Sequence, residues 1–135
     1  MTTGPVKGNS LLLYVGSTAI ACTTDAAFSF NRKTIDATCK DNDGAEQILP
    51  GGTGGSFTMS GIWRFDASYG VDDLADIFLN STKVTIKYST EVTGDFYLQA
   101  DAYITDFSGK AGLNAVADYS ATFTITGTIT KAVVA

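Results

Sequence analysis

The chain contains no histidine. The commonest general base is therefore missing, and neither a Ser-His-Asp triad nor a Cys-His pair can be built within one chain. Cysteine is nearly absent: Cys22 and Cys39 are the two. Without histidine they do not make a structural zinc site. A disulfide fits their number, but nothing at the N-terminus reads as a secretory segment, and two free thiols in a cytosolic product are expected. No long apolar run exists; Leu11 to Val15 is far too short to span a bilayer. Basic residues are the minority, with nine Lys and Arg against fourteen Asp and Glu, a net charge of -5. Such a chain does not attract nucleic acid by counterion release, and tends to repel it.

What is present favours strands. The 135 residues suit one domain, and nineteen are threonine. Residues 1–9 read as a polar arm broken by Gly and Pro. Short strands are predicted over 10–15, 18–22, 26–31 and 34–38. From 57 to 65, Phe57, Met59, Gly61, Trp63 and Phe65 share one face, and Thr58, Ser60, Ile62 and Arg64 the other. The period then changes. Val71, Leu74, Ala75 and Phe78 follow helical spacing, with Asp72 and Asp73 in the first turn and Ser68 as the expected cap. Alternation returns over 84–88, turns at Thr93-Gly94, and continues over 96–105, with a loop expected at 106–114. The last strand sets Tyr119, Ala121, Phe123 and Ile125 against Ser120, Thr122, Thr124, Thr126 and Thr128.

Residues 40–55 look different. Lys40-Asp41-Asn42-Asp43-Gly44 and Pro50 to Gly55 are polar and rich in breakers, so one long loop is predicted, with the glycines as a flexible hinge at its base. A calcium reading fails: the EF-hand positions before Asp41 and after Gly44 that need oxygen ligands hold Cys39 and Pro50. A phosphate-cradle reading fails as well, because no Lys follows Gly55. The acidic residues are spread over turns and polar faces and single out no glycosidase pair. Trp63 could serve as a carbohydrate platform, but its alternation with Phe57 and Met59 favours the core. One helix among alternating strands predicts a mainly β fold: a β-sandwich or barrel with one flanking helix.

Several stretches, in order, resemble the tail tube proteins of siphophages, specifically the TP901-1-type major tail protein family. They are Gly8 to Val15, Ile20 to Asp25 leading into Phe28-Ser29-Phe30, Ile35 to Asp41 with a loop closing at Leu49-Pro50-Gly51, Ser56 to Gly61, Ala102 to Thr105, and Val116 to Phe123 ending with Gly127 to Thr130. The resemblance covers nearly the whole chain. The Trp that the family often carries in the long loop is replaced here by Gly44-Ala45.

The resemblance implies a structural virion protein, located in the tail and assembled in the bacterial host cytoplasm. Hexameric rings of identical subunits stack into a hollow tube through which DNA is ejected. It further implies tape measure, tail terminator and distal tail proteins as partners, with no membrane and no cofactor. The long loop, with Lys40, Asp41, Asn42, Asp43, Glu46 and Gln47, is expected to reach the neighbouring ring. Gln99, Asp101, Thr122, Thr124, Thr126 and Thr128 are the candidates to line the lumen, on strands whose polar faces carry no basic residue before Lys131. Three alternatives are weighed. The inner tube of a contractile tail or related injection machine would share the architecture. A carbohydrate-binding module would need Trp63, or Tyr97 and Tyr103, exposed in a row. An enzyme is disfavoured by the missing base.

Overall fold

A computed structural model describes residues 3–20, 23–38, 44–65 and 69–135. Cys22, Cys39, Lys40, Asp41, Asn42, Asp43 and Ser68, all singled out above, lie outside the described residues. A short 3-10 turn at Gly8–Ser10 leads into β1 (Leu12–Val15) and β2 (Thr18–Ala19). There follow β3 (Thr23–Asp36), β4 (Ile48–Ile62), helix α1 (Val71–Leu79), β5 (Val84–Ser89), β6 (Phe96–Lys110) and β7 (Asp118–Val133). The strands form one antiparallel sheet in the order β2-β1-β5-β6-β7-β4-β3.

That single sheet curls. Strands β3 and β5 stand far apart in the strand order, yet the rings of Phe28 and Tyr88 lie 5.2 Å apart. The concave side holds the core: Leu13, Phe57, Met59, Ile86, Ala100, Ala102, Ile104, Tyr119, Ala121 and Phe123 are all buried there. These are the alternate residues of five strands, as period two requires. Alanines at 100, 102 and 121 occupy the middle, where side chains from a bent sheet converge and only small ones fit. Helix α1 lays Val71 and Leu74 into the same core, and Phe78 stacks on Phe107 of β6 at 6.1 Å. Gly70, not Ser68, precedes its first residue; the Asp73 carboxylate accepts the Gly70 backbone N–H at 3.3 Å. This half of a capping box needs no side chain at the cap.

Strands β5 and β7 and the helix stand where their periodicity puts them. Four expectations change. Residues 26–31 and 34–38 are not two strands: β3 is continuous from Thr23 to Asp36. The predicted loop over 40–55 is strand from Ile48 onward, and Glu46 and Gln47 lie just ahead of it. Pro50 pairs with Thr34 beside a register irregularity, one of the places where a strand tolerates proline. The region expected to be a loop over 106–114 is strand as far as Lys110. Finally, β4 ends at Ile62, so Trp63 and Phe65 leave the sheet before alternation can bury them; they are 37% and 87% exposed.

Beyond Ser56, β4 no longer pairs with β7, whereas its pairing with β3 continues to Ile48. Residues 31–36 and 48–54 therefore form a two-stranded ribbon that peels away from the sheet. Two glycines mark the departure. Gly55 has φ +152° and Gly127, near the same level of β7, has φ +91°. A Cβ on Gly55 would stand 2.2 Å from the Ser29 carbonyl oxygen. Only glycine allows that approach.

Candidate functional site

The outward face of the sheet is the chemically distinctive surface. It collects the residues that alternate with the core: Ser56, Thr58 and Ser60 on β4; Ser120, Thr122, Thr124 and Thr126 on β7; Gln99, Asp101 and Tyr103 on β6; and Thr85 and Lys87 on β5. Register brings five of the six sequence-predicted lumen candidates, Gln99, Asp101, Thr122, Thr124 and Thr126, onto this one face. Asp101 is opposite Thr126, and Gln99 is opposite Thr130. Thr128 lies in the irregularity between those two pairs, and Thr124 is opposite Tyr103. Thr122 is opposite Asp106, one irregularity further along. Thr124, Thr126 and Thr128 are exposed, whereas Gln99, Asp101 and Thr122 are half-buried.

Hydroxyls tie neighbouring strands together across this face. Thr105 and Thr124 share a hydrogen bond of 2.7 Å, as do Ser108 and Ser120. The Thr85 hydroxyl donates to the Asp101 carboxylate at 2.8 Å. Cross-strand pairs of this kind add a few tenths to about 1 kcal/mol each and hold the face flat to solvent.

Charge on the face is mostly acidic, from Asp101, Asp106 and Asp118. The basic Lys87 is neutralised in place: its ammonium meets the Glu91 carboxylate at 2.7 Å and lies 4.8 Å over the Tyr97 ring and 5.7 Å from the Tyr14 ring. Hydrogen bonds from Lys87 and then from Ser89 hold the Glu91 carboxyl below its ordinary range. Burial, and then the Glu91 charge, pushes the Tyr14 phenol up, with Lys87 opposing. At the far end of the face stands Lys110, opposite Asp118. A polyanion meeting this surface finds hydroxyls and carboxylates with little compensating positive charge, so Coulomb attraction does not hold it.

Among the described residues, no group of three or more metal-ligating side chains gathers. The three aromatic rings considered as a glycan platform do not line up. Tyr97 and Tyr103 point outward with Gln99 and Asp101, whereas Trp63 packs edge-on against the core residue Tyr119 at 6.4 Å. Tyr97 is moreover covered by Lys87.

Two further surfaces escaped the sequence reading. One is the ribbon, where Ile35 faces Leu49 across the strands and both are about half exposed, as is Ile48. The other is a pair of apolar patches at opposite ends of β6 and β7. One surrounds Phe96; the other surrounds Leu113 and Val116 in the turn between these strands. The signal for the second was legible: residues 111–117, Ala-Gly-Leu-Asn-Ala-Val-Ala, make a surface turn with Asn114 as its one polar side chain.

No curated protein matches the chain in sequence. Solved structures do match its fold. A chain from the virion of a native gene transfer agent particle and one from the tail of an empty such particle, refined with C6 symmetry, superpose with a TM-score of 0.79 each at 21% and 22% identity. The matches cover 95% and 93% of this chain and 99% and 98% of theirs. The SPP1 tail tube subunit matches with TM-score 0.77 at 13% identity, over 96% of this chain and 80% of its own. A chain from the sheath/tube terminator of an extracellular contractile injection system matches with TM-score 0.68 at 14% identity, over 98% and 99%. The family model described as phage tail tube protein matches residues 5–131. The curled sheet with its flanking helix is thus the fold of these tail subunits, and the chain belongs to the phage tail tube protein family, a structural component of the virion.

Proposed function

We propose that six copies of this chain close into a ring, that rings stack into the tail tube, and that the outward face of β4 to β7 lines its bore. The observation that carries this reading is the convergence of Gln99, Asp101, Thr122, Thr124 and Thr126 on one hydroxyl and carboxylate face, with Thr128 in the irregularity beside them. A channel for DNA must be wet without being adhesive, and such a wall meets both demands. Six-fold order is supported by the C6 symmetry of the gene transfer agent tail. Both edges of the sheet, β2 and β3, keep one side unpaired in the single chain. Ring closure satisfies such edges by pairing them with neighbours.

In this reading the ribbon and the loop candidates Lys40, Asp41, Asn42, Asp43, Glu46 and Gln47 reach the next ring, and the N-terminal arm 1–9 adds contacts. The tube needs no cofactor and performs no catalysis. It assembles in the bacterial host cytoplasm around a tape measure protein, between a terminator and the distal tail proteins. DNA passes through it without specific binding. The resemblance to the TP901-1-type family makes a flexible, non-contractile tail the first choice. The likeness to the contractile injection system chain favours a second reading, the inner tube of a contractile machine. A sheath gene beside this one would select the second.

Negative-stain microscopy of the purified, concentrated protein tests the central claim. Rings or tubes of uniform bore are expected. A chain that remains monomeric at every concentration refutes it.

A further inference from the structure

We infer that the apolar turn between β6 and β7 of one copy seats in an apolar cleft at the opposite end of the same strands of a second copy. The cleft has a volume of about 350 Å³ and is walled by Val6, Leu11, Phe28, Tyr88, Phe96 and Leu98. Phe96 is 57% exposed and Val6 44% exposed in the single chain. At the far end of β6 and β7, Leu113 is 95% exposed and Val116 70% exposed. A surface turn is ordinarily polar, because its backbone and side chains face water. This one, residues 111–117, carries no charge at all. It is nonetheless a shaped element: the Ala115 N–H bonds the Gly112 carbonyl at 3.3 Å, and Asn114 takes φ 62°.

The two patches cannot satisfy each other within one chain. Strand β6 runs from Phe96 at the cleft to Lys110 at the turn, and its fourteen steps span roughly 45 Å. The occupant is therefore another copy. One patch is a projection and the other a hollow, so the contact is heterologous and repeats without limit along the strand direction. Charge agrees with the pairing. Lys110 stands at the base of the turn, and the Asp95 carboxylate, which accepts from the Thr90 hydroxyl at 2.7 Å, stands on the rim of the cleft. The inference rests on the tube reading and deepens it: the seam it defines joins one ring to the next beside the bore. The ribbon projects from the cleft end too, so both contacts act across the same junction.

Disulfide trapping tests it in the full chain with Cys22 and Cys39 replaced by serine. One variant carries Leu113→Cys and a second carries Phe96→Cys. Mixed, assembled and mildly oxidised, they should give a covalent dimer that neither gives alone; a chain with both should give a ladder. Separately, Leu113→Asp with Val116→Asp should lower the pelletable tube fraction about tenfold or more, because every subunit of a ring repeats the defect. The melting temperature of the unassembled chain should be unchanged, since both side chains are exposed. If tubes form normally but the mixture gives no dimer, or if Phe96→Cys is trapped instead by Leu49→Cys on the ribbon, this seam is wrong and the tube reading stands. Tubes at wild-type yield from the double aspartate variant have the same meaning. If the unaltered chain forms no tubes at any concentration, both ideas fall together.

Discussion

Gly55 offers the sharpest test of how the ribbon is built. Its φ of +152° lies where side-chain-bearing residues rarely go, and a Cβ there would sit 2.2 Å from the Ser29 carbonyl oxygen and 2.8 Å from the Phe30 Cα. Both obstacles are backbone, so no rotamer change relieves them. Gly55→Ala must push β3 and β4 apart by close to 1 Å at the point where the ribbon leaves the sheet. Holding alanine in a sparsely populated backbone region costs about 1–3 kcal/mol. Weakening one adjacent ladder hydrogen bond adds about 0.5–1.5 kcal/mol. The sum is about 2–4 kcal/mol, which for a chain of this size lowers the melting temperature by roughly 10 °C.

Two controls separate the causes. Gly127 has φ +91° but open space where its Cβ would go, so Gly127→Ala feels backbone strain alone, about 1–2 kcal/mol. Gly52 has neither a positive φ nor a neighbour within 4 Å, so Gly52→Ala should be neutral or stabilising by up to about 1 kcal/mol. Thermal and denaturant melts of the three variants, all monomeric, give the ranking. If Gly55→Ala melts with Gly52→Ala, the close approach of the two strands at Ser29 is not real and the proposed departure point of the ribbon is refuted.

The remaining predictions concern charge and order. Thr124→Lys, which sets an ammonium on the outward face in every subunit, should make tubes retain DNA at low salt and release it at high salt; retention that ignores salt would count against a lumen position. The Glu91 carboxyl is held below its ordinary range by Lys87 first and Ser89 next. Its contribution is present above the unfolded carboxylate pKa and is lost as pH falls through the lower folded value. With the ion pair partly exposed, it is worth under about 1 kcal/mol. Glu91→Gln should lower stability at pH 7 and make no difference at pH 2, and an equal loss at both pH values would show that the pair is not the cause. Amides of the ribbon, 31–36 and 48–54, should exchange fast in the monomer and slowly in the tube; equal protection in both would mean that the ribbon meets no neighbour.

Much of this protein is legible in its sequence because the signal is local. Alternation places Phe57, Met59, Tyr119, Ala121 and Phe123 inside and Thr122, Thr124 and Thr126 outside, since a strand turns successive side chains to opposite faces whatever it pairs with. The spacing of Val71, Leu74 and Phe78 sets the helix in the same way. The absence of histidine excludes a histidine general base before any fold is known.

What sequence does not contain is where each strand stops and which strand it meets. Pro50 and the glycines after it read as breakers because their own preferences are weak; the β3 partner, present only in three dimensions, makes them strand. Trp63 alternates perfectly with the core residues before it, yet the chain leaves the sheet at Ile62 and the ring ends half in water. Likewise, the turn at Leu113 and the cleft at Phe96 acquire meaning only when β6 sets them at opposite ends of one rod. Periodicity is a property of neighbouring residues along the chain, whereas strand ends, sheet curvature and surface complementarity come from contacts between residues far apart in it.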